Sequence, residues 1–337
     1  MMAAKAPAPR ERQMKALQYT RFGSPDVLEL IDRPIPRATE DDAVVHFEAA
    51  AVQPSDIKSV AGVMDGTVLP RTPGRDFSGV VVEGPTWLLG RAVWGTAGDL
   101  GFSRDGTHAQ YVRFPVAGLG PRPFTLSAEE AAAVPVTFIT AWIGLIDAAQ
   151  VREGETVVVF GAAGGVGSAV TQLAHWRGAR VIGVDYVAPA DDVGPAARPD
   201  VFVGTAGLEL VDAVRNATSG RGADVGFDAV GGSDFESHLG ALARRGRLAA
   251  IASVDARRVS FDLIDFYRRE IRLFGVHSRE VDAAAAARIL ERLELGFLTG
   301  ALTPPRIAAR FPLTRAREAY EVVARGEARG RVVLVPR

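Results

Sequence analysis

Cysteine is absent from the 337 residues, which excludes disulfides, thiol nucleophiles, iron–sulfur ligation and cysteine-held zinc. Lysine is nearly absent, with only Lys5, Lys15 and Lys58, so the one glycine-rich loop lacks the lysine of a Walker A motif. Histidine is sparse: His46, His108, His175, His238 and His277 lie too far apart for a local two-histidine metal motif. No G-x-S-x-G elbow occurs, which argues against the common α/β serine hydrolase. Nor is there an excess of one charge. Lys+Arg is 39 against Asp+Glu 40, a net of −1, so no broad attraction to nucleic acid or anionic lipid follows. No apolar run reaches the ~18 residues of a membrane span, and the opening MMAAKAPAPRER has no secretory apolar stretch. Residues 1–12 are expected to be a flexible tail on a soluble, cytoplasmic protein.

What is present reads as a globular chain, 47% hydrophobic and 23% charged, long enough for two domains. From Met14 to about Pro123, short apolar alternations such as KALQYTRF, AVVHFEAAAV, FSGVVVEG, RAVWG and AQYVRF are broken by Gly and Pro, predicting a β-rich, barrel-like unit. The pattern changes at Ser127, where Ser127 and Glu130 form a capping box for a helix that must stop by Pro135. FITAWIGLIDAA then reads as helix. From Glu155, strands (ETVVVF, RVIGV, DVFVG, ADVGFDAV, RLAAIA) alternate with helices (VGSAVTQLAHWRG, LELVDAVRNATSG, DFESHLGALARRG), the mark of βαβ units and a parallel sheet. A helix with Ile289, Leu290, Leu293 and Phe297 on one face, another from about Leu313 to Arg325 and the strand RVVLVP are too few for a third domain. They are expected to return to the first.

The chemistry concentrates between Glu155 and Asp185. An apolar strand enters Gly161-Ala162-Ala163-Gly164-Gly165-Val166-Gly167 and leaves as a helix whose Val166, Ala169, Val170, Leu173, Ala174 and Arg177 share a face. Glycines at such a bend let main-chain amides approach a diphosphate, and the helix start adds a favourable dipole of up to ~2 kcal/mol. Asp185 stands 18 residues beyond Gly167, at the tip of the next strand and followed by Tyr186. A carboxylate there accepts both adenosine ribose hydroxyls, which favours NADH. It repels a 2′-phosphate by ~4 kcal/mol at 4 Å and an effective dielectric of 20. Asp191 and Asp192 add negative charge, and no Arg or Lys follows until Arg198. The alternative is that Asp185 caps the next segment or faces solvent.

With these residues in view, the chain resembles the medium-chain dehydrogenase/reductase superfamily, in its zinc-independent quinone oxidoreductase branch. The resemblance rests on Ala51-Val52-Gln53-Pro54-Ser55-Asp56, Pro73-Gly74-Arg75-Asp76-Phe77-Ser78-Gly79-Val80, Gly106-Thr107-His108-Ala109-Gln110-Tyr111, Ala133-Val134-Pro135 with Thr140-Ala141, and the glycine loop. Phe227-Asp228-Ala229-Val230-Gly231-Gly232 and Gly330-Arg331-Val332-Val333-Leu334 complete it. The resemblance implies an α/β protein: a GroES-like barrel domain (13–136 and 280–337) and a Rossmann domain (137–279) with a doubly wound parallel sheet. It also implies a homodimer through Rossmann edge strands, here Ile271-Arg272-Leu273-Phe274-Gly275. Zinc alcohol dehydrogenases place Cys, His and an acid at positions matching Gln53, Arg75 and Asp76. Gln is a poor ligand and Arg is none, so no catalytic metal is expected, and alcohol oxidation loses its Lewis acid.

The implied activity is NAD(P)H-dependent reduction of quinones or α,β-unsaturated carbonyl compounds, small electrophiles whose conjugation spreads the developing charge. The alternatives are a trans-enoyl-thioester reductase and a nucleotide-binding regulatory protein with little turnover. The branch usually has Asn where Gln53 stands, related enoyl reductases have a proton-donating Tyr at a position matching Met64, and many NADPH-using members have a basic or hydroxyl residue near Asp185. Gln53 can hydrogen-bond a substrate carbonyl as enolate charge develops, or cap a loop. Lys58 can steady an oxyanion, or be a solvated surface lysine. Asp56 is expected to be structural. By resemblance Thr140, the loop Gly161, Ala162, Ala163, Gly164, Gly165 and Val166, the pair Asp185 and Tyr186, and Val230, Ala252 and Val276 hold the dinucleotide. His277 is expected beside them, either titrating near neutrality or, as favoured, a buried structural imidazole, and Tyr111, His108 and Trp94 as packing.

Overall fold

The structure is a computed structural model, and it describes residues 12–189, 194–204 and 209–336. Residues 1–11 of the expected tail, and Asp191 and Asp192, lie outside the described residues. In chain order the first half contains β1 (Gln13–Gln18), β2 (Glu29–Pro34), β3 (Asp42–Val52), α1 (Pro54–Val60), β4 (Phe77–Glu83), β5 (Ala92–Gly95), β6 (Tyr111–Pro115), β7 (Gly120–Pro121), α2 (Ala128–Ala133) and α3 (Pro135–Trp142). Then come β8 (Thr156–Phe160), α4 (Gly165–Trp176), β9 (Arg180–Val184), β10 (Val201–Val203), α5 (Glu209–Ala217), β11 (Ala223–Asp228), α6 (Phe235–Gly240) and β12 (Leu242–Ala250). The chain closes with α7 (Leu263–Arg268), β13 (Arg272–Gly275), α8 (Ala283–Thr299), β14 (Ile307–Pro312), α9 (Ala316–Ala324) and β15 (Arg331–Val335).

Among the described residues β8 to β13 form one parallel sheet in the order β10-β9-β8-β11-β12-β13, the doubly wound arrangement with its reversal of order between β8 and β11. Every residue of β8 is buried, because helices cover both faces. The barrel sheet runs β14-β15-β3-β4-β5-β7, with β6 also on β3. The last strand, β15, pairs antiparallel to β3 with Val333 opposite Ala51, so the chain end closes the sheet begun near its start. One apolar cluster links the two units. Leu290, Leu293 and Phe297 of α8 pack with Trp94 of the barrel, Phe138 of α3 and the inner residues of β8 and α4.

Several expectations need correction. β2 and β14 carry no clean alternation and were not foreseen. The Ser127–Glu130 capping box forms as read, but after Trp142 the predicted helix widens to π-helical winding over Ile143–Ala148. The helix expected over 234–246 ends at Gly240. Arg245 takes φ +63 inside β12, where a short turn serves the sheet better than a longer helix. Arg177 is exposed at the end of α4, not on its buried face.

Trp94 and His108 are buried packing residues, and Tyr111 rests against His46 with ring centroids 5.0 Å apart. His108 ties three segments. Its Nε2–H donates to Ala51 O at 3.1 Å, which leaves Nδ1 to accept from the Tyr320 hydroxyl of α9 at 2.8 Å. Burial pushes the imidazole down to about 4, so it stays neutral. Tyr320→Phe strands that acceptor and should cost about 2 kcal/mol in urea unfolding. A loss too small to measure would show that the pair contributes nothing.

Candidate active site

At the end of β8 the chain turns through Gly161 at φ +83, a conformation that suits glycine. A Cβ on Gly167 would lie 2.1 Å from Gly161 O, so the helix start presses on the turn and tolerates no side chain there. α4 begins with Gly164 as its N-cap and no side chain capping it, and the amides of Gly165, Val166 and Gly167 make no hydrogen bond. Ala163, Gly164 and Gly165 are exposed main chain. They face a cavity of about 470 Å³ whose walls include Val52, Pro54, Val187, Ala188 and Arg331. Three bare N–H groups and a helix dipole at one point are an anion site.

The opposite wall supplies a cation. Arg331, the first residue of β15, comes so close that a Cβ on Gly165 would lie 2.1 Å from its Nη2. The guanidinium donates to Gln53 Oε1 at 2.8 Å and to Thr137 Oγ1. Gln53 is buried, and its Nε2 donates to Asp76 Oδ2 at 2.7 Å. Asp76 is fully buried and also accepts the Val136 amide of α3 at 3.1 Å. Burial raises the Asp76 carboxyl, while Arg75, Gln53 and Val136 oppose that rise. A chain of polar contacts thus runs from the barrel floor to the glycine loop.

On the other side of the sheet reversal, Asp228 at the end of β11 is fully buried. Its Oδ1 accepts the amides of Val230 and Gly231 at 3.0 and 2.7 Å, and Oδ2 pairs with His238 Nδ1 at 2.9 Å. His238 stacks on Phe160, the residue before the glycine turn, at 3.9 Å. One imidazole therefore braces both loops that flank the cleft. The Val230 carbonyl is taken by the Val254 amide, whereas those of Ala252 and Val276 accept no hydrogen bond.

Asp185 turns toward the glycine loop: Oδ2 accepts from Ala163 N at 3.0 Å and Oδ1 from Tyr186 N at 2.8 Å. The Tyr186 side chain is exposed. Thr140 is buried, with its hydroxyl donating to Val136 O at 2.7 Å. Gln53 lies at the junction, where its Oε1 accepts from Arg331 and one Nε2–H donates to Asp76, which leaves a second Nε2–H with no protein acceptor. Lys58 is exposed in the last turn of α1 and does not line the cleft. His277 is exposed and sits 3.5 Å from Glu280, contrary to the buried imidazole expected. Sequence reasoning missed Arg331, Thr137 and the Asp228–His238 pair. Arg331 was visible only as part of a terminal motif, and no local spacing connects it to Gly165.

The family described as "Alcohol dehydrogenase GroES-like domain" matches residues 39–124, and that described as "Zinc-binding dehydrogenase" matches residues 165–293. A zinc-type alcohol dehydrogenase-like protein of Schizosaccharomyces pombe is 34% identical over 295 residues, covering 86% of each chain. The crystal structure of an NAD-dependent alcohol dehydrogenase is 30% identical, covers 96% of this chain and 99% of its own, and superposes with a TM-score of 0.85. A mycobacterial quinone oxidoreductase and a mycobacterial protein complexed with NADPH are each 26% identical, covering 96% of this chain and 100% of theirs, with TM-scores of 0.83 and 0.82.

Asp56 gives the site a pH signature. Its Oδ2 accepts the Gln53 amide at 2.8 Å, closing the capping box of α1. Burial, aided by Asp76, pushes its carboxyl up to about 7 against the pull of that hydrogen bond and of Arg75. The folded state then holds a proton that the unfolded chain releases near pH 4. This stabilisation is full below the unfolded value and is lost as pH rises through about 7, up to ~4 kcal/mol in all. Asp56→Asn cannot ionise. In urea unfolding its stability relative to wild type should rise by about 2 kcal/mol between about pH 5.5 and about pH 8. A flat or opposite trend would refute the assignment.

Proposed function

Since the chain belongs to the medium-chain dehydrogenase/reductase superfamily, in its quinone oxidoreductase-like branch, we propose that it reduces quinones or α,β-unsaturated carbonyl compounds with NAD(P)H and without a metal. The observation that carries the reading is the trio of bare amides at Gly165, Val166 and Gly167 at the start of α4, where Gly165 lines the cavity and lies against Arg331. A dinucleotide fits there. Its diphosphate would meet the amides and the guanidinium, its adenosine ribose Asp185, and, as the family resemblance implies, its nicotinamide Thr140 and the free carbonyls of Ala252 and Val276. When bound, the nicotinamide supplies a hydride equivalent, so that NAD(P)H, a proton and an enone give NAD(P)⁺ and the saturated carbonyl compound.

The protein's part is orientation and charge. Gln53 and Thr137 hold the Arg331 guanidinium against the cleft, and Asp228 with His238 sets the 229–231 loop. A zinc ion does not fit the equivalent floor. The Gln53 side chain already holds Arg331 and Asp76, Arg75 is a cation, and Asp76 already accepts two N–H groups. Among the described residues no three His, Asp or Glu side chains converge.

The partner we propose is a second copy of the chain. β13 is the outer strand of its sheet, and its Arg272 and Leu273 are exposed. α7 buries none of its residues and leaves Leu263, Ile264 and Tyr267 more than half exposed. An open strand edge beside an apolar helix calls for cover. Light scattering should give twice the chain mass of 35.7 kDa, and Leu273→Asp with Ile264→Glu should give monomer. A monomeric wild type would refute the pairing.

Purified enzyme should oxidise NADH with quinones or enones, and Asp185→Ser should shift the kcat/KM ratio toward NADPH by roughly tenfold or more. Tight cofactor binding with no turnover across a broad acceptor panel would overturn the enzymatic reading in favour of a regulatory one. A wild type that strongly prefers NADPH would refute the role of Asp185.

A further inference from the structure

Asp228 and His238 are a buried acid–imidazole pair set behind the cavity, whose walls include neither. The carboxylate can only accept, so the His238 Nδ1 carries the hydrogen and donates to Oδ2 at 2.9 Å. Among the described residues Oδ2 has no other donor. Without the imidazole it would be an unpaired oxygen of a fully buried carboxylate, a loss larger than the net worth of the hydrogen bond itself. The ring is also held in orientation, because it lies flat on Phe160 with the two planes 16° apart.

The second oxygen carries the consequence to the cleft. Oδ1 takes the amides of Val230 and Gly231, fixing a loop in which Gly231 has φ +62. That loop is wedged on both sides. A Cβ on Gly161 would lie 3.0 Å from Val230 Cγ2, and a Cβ on Gly231 would lie 2.2 Å from Ala252 O. Main-chain bonds tie it as well: Ala229 N donates to Phe160 O at 3.1 Å, and Val254 N to Val230 O at 3.0 Å. Val230 and Gly231 therefore sit between the glycine turn and the Ala252 carbonyl, which accepts no hydrogen bond. A shift of this loop moves that carbonyl.

We propose that His238 is a positioning residue for the nicotinamide half of the dinucleotide: its Nδ1–H holds Asp228, Asp228 holds Val230 and Gly231, and these hold the Ala252 carbonyl in place. This rests on the reading of NAD(P)H binding along the glycine loop. The two halves of the ligand are then separable. The α4 amides that would meet the diphosphate do not bond to Asp228, so the adenosine half is held without His238.

The test compares NADH with ADP-ribose, which lacks the nicotinamide, by calorimetry on wild type and two variants. His238→Phe keeps a ring on Phe160 but has no donor; His238→Asn loses the ring but places an amide nitrogen where Nδ1 stood. His238→Phe should weaken NADH at least ~10-fold and ADP-ribose less than ~3-fold, and His238→Asn should recover most of the NADH affinity. Equal losses for both ligands, as a merely structural role requires, no loss of NADH affinity, or no recovery with Asn overturns the proposal. A second measurement needs no ligand. In His238→Phe, or His238→Leu where the former does not fold, the Val230 and Gly231 amides should exchange with solvent at least ~10-fold faster, while those of Val157, Val158 and Val159 in β8 keep the wild-type rate. Unchanged exchange in the loop, or equal acceleration in β8, overturns the positioning role alone. A wild type that binds neither ligand overturns the cofactor reading and the nicotinamide claim with it.

Discussion

The uncapped start of α4 constrains more of this molecule than any other feature. Three amides without acceptors would be costly if sealed away from solvent and ligand alike, and the chain sets the start of α4, through Gly164 and Gly165, at a cleft wall. Keeping them bare fixes the local sequence. Gly161 must turn with positive φ, Gly167 must let the helix approach the turn, and Gly165 must clear Arg331. It also fixes the distant sequence. A positive group has to arrive from the barrel, and it comes on β15, whose pairing with β3 places Arg331 beside Gln53.

The polar floor beneath that cation follows the same logic. Gln53, Asp56, Arg75 and Asp76 are all buried, an arrangement that well-packed apolar side chains would match or exceed in stability. Its value lies in geometry. Each acceptor has a designated donor: Asp56 takes the Gln53 amide, Asp76 takes the Gln53 side chain and the Val136 amide, and Gln53 Oε1 takes Arg331. The network ties β3's end, α3 and the final strand together at the cleft.

The parts legible in the sequence were those with a short period or a local motif. The β8–α4–β9 unit announced itself through an all-apolar strand, a glycine turn and an acid after the next strand, and the doubly wound order followed. The Ser127–Glu130 cap was legible for the same reason. What escaped was set by contacts remote in the chain. Nothing local shows that Gln53 also holds Arg331 and Asp76. His277 looked buried because it follows a Rossmann strand, but that strand is the outer one and its end is open. β2 and β14 lie where strand pairing, not side-chain alternation, decides the conformation.

On the proposed metal-free reading, a guanidinium at the junction changes which substrates would suit it. A zinc ion would hold an alkoxide at one coordination position and favour alcohol oxidation. A buried arginine offers several directed donors and no acid strong enough to generate an alkoxide, so it suits oxygen that is already anionic or becomes so by conjugation. The neighbouring carboxyls adjust the balance. Asp56 is raised to about 7, so below that pH it is neutral and offsets none of the charge of Arg75; above it, its carboxylate does. The positive charge of the floor is therefore greatest on the acid side of neutrality, the same side on which Asp56 contributes most to the folded state.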